Sequence, residues 1–243
     1  RRLGPEALPP QAAVARPVAL LEGLRDDPTP AVSWSTVTGP TLVLGRTPAG
    51  PAVDRDAAAG EGVAVVRRSS GGGPVLWDAG LLALDVALPR GHPLAPADVV
   101  EGYRWLGEAV ACALAGLGVP GVETVAVAAA REAARSPHPA SGACYGGLSP
   151  HEVLVEGRKA VGLSQARRRQ GTLLQAGILM SLDAERLARL LGDPPGFADA
   201  LRATAGGLDE VVPGICELDV VAAVDARLEA ALDEGCTEAG PGT

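Results

Sequence analysis

The chain has 243 residues, enough for one domain, and 47% of them are hydrophobic, enough for an extensive core. Aromatic residues are only 2%, so that core is aliphatic and held by many small dispersion contacts. A formal net charge of −8 argues against a nucleic-acid or anionic-membrane binder, because both need clustered cations.

In chain order, Pro17 to Leu24 reads as a helix, with a proline in its first turn and apolar residues at helical spacing. Ala31 to Thr36 and Thr41 to Gly45 read as strands separated by Gly39-Pro40. Gly62 to Arg67 is a third, Val-rich strand that runs into Ser69-Ser70-Gly71-Gly72-Gly73. Leu81 to Leu88 is a further strand ending at Pro89. Ala97 to Leu117 reads as the longest helix, with Gly118 as its cap and Cys112 as a buried structural thiol. Glu123 to Ala128 reads as a strand, and Ser136 to Gly147 as a Pro/Gly/Ser-rich loop carrying Cys144.

A hairpin follows, with His151 to Val155, a turn at Glu156-Gly157, and a return over Arg158 to Leu163. Thr172 to Met180 is strand-like, Asp183 to Leu191 and Glu217 to Glu234 read as helices, and the end from Glu238 reads as frayed. Strands interspersed with helices and hairpins predict an α/β (α+β) fold, a mixed sheet with flanking helices. A single domain is expected, ordered over about residues 12–236.

The four cysteines form no CxxC pair and stand near no histidine at ligand spacing, so neither a metal site nor a disulfide framework is expected. With no apolar leader at Arg1-Arg2-Leu3 and no unbroken apolar span, a cytoplasmic location is expected.

Four features carry chemistry. Lys159 is the only lysine among the 21 basic residues. It is either a solvated strand-end residue or a position that needs a compact ammonium rather than a planar guanidinium. Arg67-Arg68-Ser69-Ser70-Gly71-Gly72-Gly73 ends a strand and is either a tight turn or a backbone anion cradle. It has neither a P-loop ending nor dinucleotide-fingerprint spacing. Cys144 is an ordinary loop cysteine or a nucleophile favoured by a nearby ammonium. Arg167-Arg168-Arg169 reads as a solvated loop or a docking patch for an acidic carrier domain.

Taken together, these segments resemble the lipoate–protein ligase and octanoyltransferase family. The likeness rests on Arg67-Arg68 with Ser70-Gly71-Gly72-Gly73 and Asp78, and on Cys144-Tyr145 followed by Ser149 and Glu152. It continues through Gly157-Arg158-Lys159, Gly162 with Ser164-Gln165, and Leu174-Gln175 with Gly177-Ile178. The chain departs from the family pattern at Trp77 and Ala176, where the pattern has histidine.

The resemblance implies a biotin- and lipoate-ligase-like catalytic domain without a separate C-terminal accessory domain. It implies Cys144 and Lys159 as catalytic residues. Arg67, Arg68, Ser70, Gly71, Gly72, Gly73, Asp78, Gly162 and Gln165 would line the acyl and nucleotide pocket. Three activities follow from it. The first is octanoyl or lipoyl transfer through a Cys144 acyl-enzyme, which needs no cofactor. The second is ATP- and Mg-dependent ligation through an acyl-adenylate, and the third is non-catalytic acyl binding. The implied donor is an acyl carrier protein, or free lipoate or octanoate. The implied acceptor is a lysine of a lipoyl domain or of a glycine-cleavage H-type carrier protein.

Overall fold

The computed structural model describes residues 1–46 and 51–238. In chain order the described elements are β1 (Arg2–Leu8), α1 (Pro10–Gly23), β2 (Ala31–Val37), β3 (Thr41–Leu44), α2 (Arg55–Gly60) and β4 (Ala64–Arg67). Next come β5 (Val75–Trp77), β6 (Leu81–Pro89), α3 (Arg104–Gly116), β7 (Val122–Thr124), α4 (Val127–Ala133) and β8 (Val153–Val155). The chain continues through β9 (Arg158–Arg168), β10 (Gly171–Leu179), α5 (Ala184–Leu190), α6 (Phe197–Thr204) and α7 (Glu217–Glu238).

Seven strands form one sheet in the order β1-β2-β6-β10-β9-β8-β7, and β4-β3-β5 form a smaller one. Both sheets are mixed: β1 runs parallel to β2 and β4 to β3, while the other neighbours are antiparallel. The expected α/β architecture with flanking helices is the one observed.

Period-two alternation along β6 separates two environments. Leu82, Leu84, Val86 and Leu88 join a core with Leu106, Val110 and Leu114 of α3 and Val220, Val224 and Leu228 of α7. Leu81, on the opposite face, joins a second core with the small sheet and with Leu187, Phe197 and Leu201 of α5 and α6. The candidate site lies on this second face, where α1 and the small sheet cover the large one.

Several local expectations need correction. The first helix begins at Pro10, not Pro17, and runs through Pro17, whose ring is buried. Gly62 has φ +65°, outside the strand range, so β4 starts at Ala64. The helix expected from Ala97 starts at Arg104, because Asp98 caps the N–H groups of Val100 and Glu101 and a 3₁₀ turn over Glu101–Tyr103 intervenes. The strand expected over Glu123 to Ala128 stops at Thr124. The alanine-rich segment after it prefers helix and forms α4.

Cys112 is exposed, not buried. The inward stripe of α3 is Leu106, Ala109, Val110, Ala113 and Leu114, and position 112 falls beside it. Arg167 and Arg168 belong to strand β9 rather than to a loop, and Arg167 donates to the carbonyls of Ala97 and Asp98. Strands β1 and β5 and helices α2 and α6 went unread. The strand-like and helical periods are too short or too polar in these segments to stand out. Apart from Glu238, which ends α7, the chain end expected to fray lies outside the described residues.

Candidate active site

The floor of the site follows from strand register. One row across the sheet is Ser35, Ala83, Gly177 and Gly162, all small. The next row, about 7 Å along the strands, is Ser33, Asp85, Gln175 and Ser164, all polar. The small row leaves room above the sheet, and a cavity occupies it. Its walls include Ala13, Val14 and Pro17 of α1, Val43 and Val75 of the small sheet, and Trp77. Arg68, Ser69 and Ser70 close it on one side, and Cys144 and Tyr145 on another.

Tyr145 explains why the floor residue at 177 is glycine. Its hydroxyl donates to the Gly177 carbonyl at 2.8 Å, and a Cβ at Gly177 would stand 2.6 Å from that oxygen. Burial pushes the phenol well above its ordinary pKa, so it remains a neutral donor. The residue before it, Cys144, is half-buried and faces the cavity. Both backbone groups of Cys144 are held: its N–H donates to Pro74 O at 3.0 Å, and its carbonyl accepts from Lys159 Nζ at 2.8 Å.

Lys159 is 1% exposed. Its ammonium has three donors, and three acceptors meet it: Glu152 Oε1 at 2.7 Å, Cys144 O at 2.8 Å and Gly147 O at 3.0 Å. The Tyr145 ring lies 5.4 Å away, close enough for a cation–π contribution. Glu152 is equally enclosed. It also accepts from the N–H groups of Ser149 at 2.7 Å and Leu163 at 3.2 Å. Burial raises its pKa, and the Lys159 charge works against that rise. Lys159 thus clamps the Cys144 loop from beneath and does not itself line the cavity.

Two glycines of the triplet, Gly72 and Gly73, serve backbone conformation and close chain packing. A Cβ on Gly73 would collide with the Gly142 carbonyl, and one on Gly45 with the Gly72 carbonyl, while Gly72 itself takes φ +102°. The Arg68 guanidinium binds the carbonyls of Gly71 and Gly73. Gly73 and Lys159 therefore approach the same loop, residues 142–147, from different sides. Of the residues singled out in the sequence, Arg68, Ser70, Cys144 and Gly162 line the cavity.

The others lie outside it. Arg67 is exposed and donates to the Gly45 carbonyl. Asp78 caps the Gly80 N–H in the turn before β6. Gln165 points to the other face of β9, as its odd position beside Ser164 dictates, and donates to Val99 O.

The fold agrees with what known proteins show. The model of the lipoyl protein ligase A/B catalytic domain matches residues 9–221. The chain belongs to that family. A protein named octanoyltransferase LipM from Kyrpidia tusciae is 36% identical over 203 residues, covering 82% of this chain and 72% of that protein. The protein of the same name from an Exiguobacterium strain is 40% identical over 137 residues, covering 56% of this chain and 48% of its own length. A lipoate-protein ligase A bound with ATP superposes with a TM-score of 0.74 at 19% identity, covering 96% of this chain and 85% of that one. The bi-partite lipoate protein ligase of Thermoplasma acidophilum gives 0.73 at 19% identity, covering 96% and 83%. At that identity the structural likeness concerns the fold.

Within this lipoyl ligase family frame, the two departures at Trp77 and Ala176 acquire a place. Trp77 is buried in the cavity wall, where its Nε1 donates to Leu81 O at 3.0 Å, whereas Ala176, between Gln175 and Gly177, turns its side chain to the opposite face, into the core with α3 and α7. Tryptophan at 77 keeps the wall apolar, and no imidazole lines it.

Sequence reading gave Tyr145 and Glu152 no role beyond the family likeness and did not single out Asp85. The one available signal was an acidic residue in the middle of an aliphatic strand. Asp85 is 2% exposed, and burial pushes its carboxyl up from 3.8 to about 7, against the Gln175 hydrogen bond and the Arg16 charge. A carboxyl raised in the fold stabilises it fully below the unfolded value near 4, and that contribution is lost as pH rises through about 7. Asp85→Asn has no such loss. Its stability relative to wild type is therefore expected to rise by about 2–3 kcal/mol between pH 5 and pH 8. Urea unfolding at the two pH values measures this, and a pH-independent difference contradicts it.

Proposed function

We propose that the chain transfers an octanoyl or lipoyl group from a thioester to a lysine of a carrier-protein domain through an acyl-enzyme on Cys144. The observation that carries this reading is the thiol-bearing residue on the wall of an apolar cavity, with both of its backbone groups pinned. The names of the relatives, octanoyltransferases, support the same chemistry.

In the first step the Cys144 sulfur attacks the thioester carbonyl. The acyl–sulfur bond to the donor breaks, an acyl–sulfur bond to Cys144 forms, and the donor leaves as its thiol with the proton Cys144 gives up. The chain packs on the apolar wall and excludes water from the intermediate. In the second step the acceptor amine attacks, an amide forms and the Cys144 thiol is regenerated. A thioester donor makes the overall reaction downhill without nucleotide. Lys159 positions the nucleophile through its carbonyl.

Intact-mass analysis of the purified protein with octanoyl carrier protein, with and without ATP, tests this. A thiol-linked octanoyl adduct without ATP is expected. Acylation of an acceptor domain that occurs only with ATP, with no adduct on Cys144, would assign the chain to ligation instead.

A further inference from the structure

The polar row next to the small one has no place in that chemistry. Gln175 Nε2 donates to Asp85 Oδ1 at 2.7 Å, and Ser164 Oγ donates to Gln175 Oε1 at 3.2 Å. Asp85 makes no other hydrogen bond among the described residues, so Oδ2 is without a partner on a buried side chain that lines the cavity. Arg16 does not take that oxygen. It donates to Ser33 Oγ and pairs with Glu6. Helix α1 roofs the cavity with Ala13, Val14 and Pro17, while the Cys144–Tyr145 segment bears on the small row.

The small row of Ala83, Gly177 and Gly162 offers a saturated chain attached at Cys144 no unfilled hydrogen-bond position, since the Tyr145 hydroxyl above Gly177 already donates to the Gly177 carbonyl. One row further the chain meets a carboxyl that offers an unfilled hydrogen-bond position. A terminal methyl there removes water from the carboxyl and replaces it with nothing, whereas a terminal hydroxyl fills the vacancy.

We propose that Asp85, held by Gln175 and Ser164, is a specificity-determining residue that ends the acyl cavity. A saturated chain must stop short of it, and a chain long enough to reach it is accepted when its far end carries a hydrogen-bonding group. This rests on the acyl-transfer reading above but is tested separately from it. The raised pKa of Asp85 fits a carboxyl that a ligand must satisfy rather than one that solvent satisfies.

The test measures binding of free acids to the full chain by calorimetry. The probes are octanoate, decanoate and ω-hydroxynonanoate, the last two having the same number of chain atoms. Wild type is expected to bind decanoate roughly tenfold more weakly than either of the others. Asp85→Ala removes the carboxyl and makes room, so decanoate becomes the tighter of the two long ligands. Asp85→Asn keeps a polar end and keeps the wild-type order, which separates specificity from folding.

Wild type without the hydroxyl preference, Asp85→Ala with the wild-type order, or no binding of any acid overturns the proposal. Transfer from the matching carrier thioesters is measured in parallel. The expected binding order without transfer leaves the subsite standing and removes the acyl-transfer reading. Transfer with an Asp85-independent order does the reverse.

Discussion

Lys159→Arg is expected to lose acyl transfer by two to three orders of magnitude or more although the positive charge is kept. The native ammonium sits at the meeting point of one carboxylate and two carbonyls, in a space that leaves it 1% exposed. A guanidinium is planar and larger, and it presents its donors in a fixed fork. It cannot reach Glu152, Cys144 and Gly147 together without moving the 142–147 loop, and Gly73 is packed against that loop with no room for a Cβ. Lys159→Ala leaves Glu152 enclosed without its counter-charge, which costs about 3–5 kcal/mol of stability. Single-turnover transfer and urea unfolding read the two effects separately. Wild-type turnover in Lys159→Arg would mean that the clamp does not position the nucleophile.

Cys144→Ser is expected to show no acyl-enzyme and almost no transfer, with stability close to wild type. The substitution is nearly isosteric and leaves the Pro74 and Lys159 contacts intact, since both are made by backbone atoms. What it changes is the nucleophile. A serine hydroxyl needs a general base, and the cavity wall contains no imidazole to provide one. Intact mass after incubation with octanoyl carrier protein reads the adduct, and acceptor modification reads turnover. Full ATP-dependent ligation by this variant would make Cys144 a bystander in its loop.

The sequence by itself determined the fold class, the family and the residues to inspect first. Long aliphatic strands such as Leu81–Pro89 and Gly171–Leu179 announce themselves because burial imposes a period of two or a continuous run. The lone lysine and the cysteine-bearing loop stood out because composition made them exceptional. What only the tertiary structure decided is which of these groups meet, and in what sense. Glu152 stands just before β8 and Lys159 lies in β9, next to the register shift between those strands, so their enclosure depends on register and on the covering loop.

The glycine triplet read as either a tight turn or a ligand cradle, and the close packing of Gly72 and Gly73 was not legible, because the partner segments at Gly45 and at residues 142–143 are remote in sequence. Asp85, Gln175 and Ser164 are separated by up to 90 positions and become one row only through antiparallel pairing. Local sequence sets the period of each strand. The neighbour each residue acquires is set by pairing and packing over the whole chain, and the chemistry of the site resides in those neighbours.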